Sequence, residues 1–360
     1  MKRFIALLLC LVMVLSLAAC GGGNDAKEPE TSKEPGQETG FEEMNWKFGC
    51  SAGETSTWAE AGKYFGELMS EATGGAVTVD VFATDQLFGG SQTDGIQGVI
   101  DNTTQIDMHS NLIYASFDDR FSVVSLPFLF ANTDEVDAVL DGEGGDALKA
   151  ILDEMGLHVL GIAENGFRHV TNSKHEIITP ADMTGLKIRV AGSSVLMDAY
   201  KAWGSDYTTA NWNEVYTGLQ TGTYDGQENP VPTMDASQIQ EVQKYVTYWT
   251  GSYDCLFFTM NKGLYDSLSP ELQAIVDENG QKTAEYQREI NRAADEETLA
   301  RWESDNGVTV HYLTEDEMAA FKELSDPVYD NYAKLLMEEK GMSAEDVTAF
   351  LGAFGVEVNV

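Results

Sequence analysis

The sequence predicts an α/β protein of two lobes built from one chain. Three observations carry this. Strand-like alternation and helix-like spacing take turns in the order strand, helix, strand, helix, strand, which implies a parallel sheet with helices on both faces. The pattern then recurs in the second half. Apolar patterning runs from Asn45 to Val360, about three hundred residues or two lobes' worth of core.

Trp46-Lys47-Phe48-Gly49-Cys50 reads as a first strand, and Ser56 to Ala72 as a helix with Trp58, Ala61, Phe65, Leu68 and Met69 on one stripe. Gly74-Gly75 ends it. Val77 to Phe82 alternates as a strand, Gly95 to Ile100 reads as a helix, and Ile106-Asp107-Met108 as another strand. Later, Val159 to Ile162 and Leu186 to Val190 read as strands, with a helix from Ser194 to Trp203. Strand-like runs between Tyr245 and Met260 could pass between lobes. Ser269-Pro270-Glu271 is a helix start, with Ser as N-cap and Pro at the first helical position. That helix could reach about Ser304, interrupted only by Gly280, long enough to span both lobes.

The N-terminus has its own logic. Met1-Lys2-Arg3 precedes an apolar run from Phe4 to Leu17, shorter than the roughly 18 to 20 residues that cross a bilayer, as in a secretory signal peptide. It ends in Leu17-Ala18-Ala19-Cys20-Gly21, which resembles a lipobox. That resemblance implies removal of residues 1–19 and lipidation of Cys20, whose two acyl chains would hold the protein to the cell membrane. Residues 20–44 are rich in Gly, Pro, Ser, Thr and charge and read as a flexible tether. Of four cysteines, only Cys50 and Cys255 fall in the folded part, so no disulfide framework is expected.

With 22 basic against 59 acidic residues, a net charge of −37, nucleic acid and anionic membrane surfaces are excluded as partners. An anionic ligand would need the scarce arginines gathered locally. No nucleophile elbow, Walker loop, dinucleotide fingerprint or Cys-x-x-Cys occurs, and the histidines at 109, 158, 169, 175 and 311 lack metal-site spacing, so no enzyme, cofactor or metal centre is expected. In Gly185-Leu186-Lys187-Ile188-Arg189-Val190, Arg189 points to the strand face opposite Leu186, Ile188 and Val190. In a sheet covered on both faces its guanidinium needs a partner, either a structural carboxylate or a ligand. Further on, Pro230 holds Asn229 extended in Gln227-Glu228-Asn229-Pro230.

The Arg189 strand, Trp212-Asn213-Glu214-Val215-Tyr216-Thr217-Gly218-Leu219 and Asp225-Gly226-Gln227-Glu228-Asn229-Pro230 together resemble the solute-binding subunit of a tripartite ATP-independent periplasmic (TRAP) transporter. Asn165-Gly166-Phe167-Arg168, Asp182-Met183-Thr184-Gly185-Leu186 and Ser125-Leu126-Pro127-Phe128 add to the resemblance. It implies a two-lobed periplasmic-binding-protein-like fold, with lobe I from 45–164 and 255–293, lobe II from 165–254 and 294–360, and the ligand cleft between them. It also implies a carboxylate held by Arg189, with Asn229 on the same group, Arg168 assisting, and Trp212 lining the pocket. Asn165, the Ser110-Asn111 pair and Ser51 are expected near the ligand. Asp206 and Tyr207 depart from the family's pattern and leave that pocket wall open. Asn111, Asn165, Asn211 and Asn213 suggest hydroxyls to satisfy, hence a sugar acid such as a uronate or aldonate, with a C4-dicarboxylate or keto acid as alternatives. The expected partners are a small organic acid and the small and large membrane subunits of an ion-driven permease, and the protein is expected to be a monomer. Its rivals are the binding lipoprotein of an ATP-driven importer and a lipid-anchored hydrolase.

Overall fold

The computed structural model describes residues 40–293 and 295–358. The signal segment 1–19 and Cys20 lie outside the described residues, as does the tether as far as residue 39. The tether's expected end at 44 is too late. Phe41 already packs against the first core, and Met44 opens a strand by pairing with Val77.

Eleven strands occur among the described residues. In chain order they are β1 (Met44–Cys50), β2 (Val77–Phe82), β3 (Ile106–Ser110), β4 (Leu157–Phe167), β5 (His169–Asn172) and β6 (Lys187–Val190). Then come β7 (Asp206–Thr209), β8 (Gly226–Asn229), β9 (Tyr245–Tyr248), β10 (Tyr253–Asn261) and β11 (Thr309–Tyr312). They form two sheets, ordered β2-β1-β3-β10-β4 and β11-β9-β5-β8-β6-β7. β1 runs parallel to β2 and β3, as its alternation with helices requires. β10 is antiparallel to both β3 and β4, and β5 to both β8 and β9, so the sheets are mixed rather than wholly parallel.

The mixing comes from the crossovers. β4 of the first sheet passes into β5 of the second with Arg168 alone between them, and β9 returns to β10 through Trp249–Ser252. The two crossings are tied to each other: Arg168 N donates to Ser252 O at 2.9 Å, and Trp249 Nε1 to Arg168 O at 3.0 Å. The lobe boundaries expected at 164/165 and 254/255 therefore fall inside β4 and β10, whose ladders continue across them. Val159 to Ile162 belongs to the first sheet, inside the expected first-lobe span.

The helix Pro270–Arg292 starts where its capping signal placed it, with Ser269 Oγ accepting from Leu272 N. Gly280 does not interrupt it. A Cβ there would lie 2.7 Å from Leu160 O, so this glycine lets the helix sit against β4. The helix ends at Arg292, not at Ser304. Its continuation is taken by the separate helix Asp295–Arg301 and the turn Trp302–Asn306, which join the second lobe through Arg301–Asp235 and Trp302–Asp235 bonds. The chain end returns: Phe354 packs beside Gly144 and Val139, so residues 294–360 do not all belong to the second lobe.

Each sheet is covered on both faces. On β10, Phe257 joins a core with Tyr114, Phe121 and Ile96, while its neighbour Phe258 joins the opposite core with Phe48, Phe65 and Met69. The second sheet rests on Val170, Ile188, Val190, Trp203 and Trp249 on one side, and on Val215, Met234, Val246 and Trp302 on the other. Cys50 and Cys255 are buried free thiols. No described helix is long and apolar enough to cross a membrane.

Candidate ligand-binding site

A cavity lies where strand ends of both sheets meet. The space free of protein atoms there, open solvent included, is about 350 Å³. Ser51 follows β1, Ser110 ends β3, Asn165 lies on β4 and Asp254 on β10; these and Trp58 form the first-lobe wall. Arg189 on β6, Asn229 on β8, Trp212 and Thr233 form the second, with Arg168 at the crossing.

Arg189 sits between Ile188 and Val190, both in the core, so strand alternation turns its side chain to the cavity. It is only 2% exposed, yet no carboxylate among the described residues lies within 4.0 Å of it. Its Nε and Nη2 donate to Ala210 O at 3.0 and 2.6 Å, and its guanidinium carbon lies 5.7 Å from the Trp212 ring centroid. Burial pushes its pKa down to about 10, which leaves it a cation at neutral pH. Among the described residues, then, Arg189 has no structural ion pair, the open alternative for this residue.

Arg168 differs. It pairs with Glu228 and Asp254 and also donates to Glu228 O at 2.9 Å. Burial alone would lower its pKa, but the two carboxylates hold it above the usual range. Asp254 also accepts from Ser110 Oγ and Asn165 Nδ2, each at 2.7 Å; burial raises its pKa against these donors and Arg168. Arg168 is therefore already engaged by two carboxylates, whereas Arg189 has none within ion-pair distance among the described residues and feels Glu228 only from farther away.

Ser51, Ser110, Asn165, Arg168, Arg189, Trp212 and Asn229 all line the cavity. Asn229 Nδ2 donates to Gln227 Oε1 at 3.0 Å, and Trp212 Nε1 to Ser237 Oγ at 3.2 Å. Asn111 does not line it. Fully buried, it donates to Phe121 O and Ser125 Oγ and accepts from Cys255 N, strapping the segment after β3 to β10. Asn211 and Asn213 are exposed outside the cavity, so of the four asparagines thought to meet hydroxyls only Asn165 is a wall residue. Asp206 and Tyr207 lie exposed on the edge strand β7 and form no pocket wall.

Sequence reasoning missed Trp58, Gln92, Thr233, Asp254 and Glu228. Trp58 reads as one more member of a core stripe. Asp254 did leave a signal, a carboxylate inside the apolar run Tyr253 to Met260. Gln92 joins the two walls, its Oε1 accepting from Trp212 N at 3.2 Å. Among the described residues, no group of three or more His, Cys, Asp or Glu side chains could hold a metal ion.

Comparison with known proteins identifies the family. The model of bacterial extracellular solute-binding protein, family 7, matches residues 48–335. The 2,3-diketo-L-gulonate-binding periplasmic protein YiaO of Escherichia coli is 35% identical over 289 residues, covering 80% of this chain and 87% of that protein. The C4-dicarboxylate-binding periplasmic protein DctP of Rhodobacter capsulatus is 28% identical, covering 79% and 85%. The crystal structure of the sugar acid binding protein DctPAm from Advenella mimigardefordensis, in complex with galactonate, matches with a TM-score of 0.80 and 30% identity, over 87% of this chain and 98% of that one. The chain belongs to the bacterial extracellular solute-binding proteins of family 7, the extracytoplasmic components that bring organic acids to the membrane subunits of TRAP transporters.

Proposed function

We propose that the cavity binds the carboxylate of a sugar acid, with Arg189 as its main partner and Asn229 beside it. What carries this reading is a buried guanidinium with no carboxylate among the described residues within 4.0 Å, facing an interlobe cavity. Its planar fork suits a carboxylate bidentately, and exclusion of water strengthens the contact. Arg168, Asn165, Ser110, Ser51 and Trp212 complete the wall, with Arg168 orienting Glu228 and Asp254 rather than supplying free charge. The diketogulonate and galactonate relatives favour a sugar acid; the DctP relative keeps a C4-dicarboxylate as the second reading. The protein binds without turning its ligand over, acts as a monomer, and is held to the cell membrane by lipid on Cys20.

A thermal-shift panel of acids, neutral sugars, amino acids and peptides tests the ligand class. An acid at a hundred to a thousand times its dissociation constant should stabilise the fold by roughly 3 to 4 kcal/mol. Losing one partner of a buried charged contact costs about 2 to 5 kcal/mol, so Arg189→Ala should weaken that acid roughly thirty-fold or more, and Arg189→Lys should restore only part. Shifts by neutral sugars or peptides alone would overturn the reading, as would near-normal binding by Arg189→Ala.

A further inference from the structure

Five buried side-chain polar atoms among the described residues have no hydrogen-bond partner in the protein, and two of them belong to residues that line the cavity. These are Trp58 Nε1 and Ser51 Oγ. The other three, on Thr104, His169 and Gln240, belong to residues outside the cavity wall. Buried donors are almost always satisfied, so two orphans in one binding wall mark where a ligand atom completes the set. Trp58 is 4% exposed, and its indole N–H can only donate, so that ligand atom is an acceptor oxygen and not a methylene.

The charges restrict the ligand from the other side. Arg168 and Arg189 are the cations of the wall, and Arg168 is already held by Glu228 and Asp254. One ligand carboxylate would occupy Arg189, the wall's guanidinium without an ion pair among the described residues. A second carboxylate would find no unpaired guanidinium and would share the cavity with Asp254.

Building on the organic-acid reading above, we infer that the cleft selects a monocarboxylate carrying a hydroxyl or keto oxygen away from its carboxylate, and that Trp58 Nε1, with Ser51 Oγ, recognises that oxygen. A site built around unpaired donors rejects analogues that lack the matching group.

Calorimetric and competition titrations of the full chain with D-galactonate, D-glucuronate, hexanoate and succinate test this. A hydroxylated monoacid should bind at least about tenfold more tightly than hexanoate or succinate. Trp58→Phe keeps the ring and removes the N–H, and should shrink the preference for the hydroxylated acid over hexanoate by about tenfold. Ser51→Ala tests the second donor should the tryptophan variant fold poorly. An unchanged preference in the folded variants overturns the inference, and so does succinate binding as tightly as the best hydroxylated acid; either result leaves Arg189's role standing. If neither galactonate nor glucuronate binds, the inference falls, while the organic-acid reading is decided separately by the wider thermal-shift panel.

Discussion

Arg168 and Arg189 are buried in the same cavity wall, yet one is paired and the other is not. This predicts opposite effects on the ligand-free fold. Arg168→Ala strips the cation from two buried carboxylates, Glu228 and Asp254, and should cost about 3 to 5 kcal/mol of stability. Arg189→Ala removes a desolvated charge that has no ion pair among the described residues, and should leave ligand-free stability within about 1 kcal/mol of the unaltered chain, or above it. Urea unfolding without ligand reads both. Equal destabilisation by the two variants would show that Arg189 is chiefly structural. Alternation around Ile188 was enough to place Arg189 on a buried face. Which arginine would be free was not legible, because Arg168's partners lie 60 and 86 residues away in the chain.

The helix Pro270–Arg292 lies against β4 closely enough that two glycines set the spacing. A Cβ on Gly280 would meet Leu160 O at 2.7 Å, and one on Gly161 would meet Ala284 Cβ at 2.6 Å. Alanine at 280 gains about 1 kcal/mol of helix propensity. Forcing a methyl into a filled contact costs about 1 to 3 kcal/mol, and backbone cannot rotate aside as a side chain can. Gly280→Ala should therefore lower the urea midpoint, whereas Gly352→Ala, with nothing within 4 Å, should leave it unchanged or raise it. A stabilised Gly280→Ala would mean that the helix and sheet can move apart. From sequence the same glycine reads as a helix interruption, because propensity is local and the strand beneath is more than a hundred residues away.

For the molecule as a whole, two strand crossings tied at Arg168–Ser252 join the lobes near the cavity. Contacts such as Trp212 N to Gln92 Oε1, and Ser122 to Ser193 at 3.1 Å, also join the lobes. A ligand bound between the two walls would add contacts to both. The Leu17-Ala18-Ala19-Cys20-Gly21 junction motivates one more prediction. Cys20→Ala should move the protein from the membrane to the soluble fraction. Quantitative retention of a processed mutant in the membrane, without a partner holding it there, would disprove the anchor.

Local periodicity and capping, acting over a few residues, were enough to identify the helix from Ser56, the strand bearing Arg189 and the start at Ser269-Pro270. Composition alone set the burden on the arginines, since a net charge of −37 makes every anion site depend on a few cations. Tertiary structure decided everything that rests on meetings between distant segments. It turned Asn111 into a strap, left Asn211 and Asn213 outside, paired Arg168 but not Arg189, and brought Trp58 from an apparent core stripe to the cavity wall with its N–H unsatisfied. The physical reason is that burial and hydrogen-bond satisfaction are properties of a three-dimensional neighbourhood. A sequence specifies which groups must be satisfied; only the fold determines which of them the protein satisfies itself and which it leaves for a ligand.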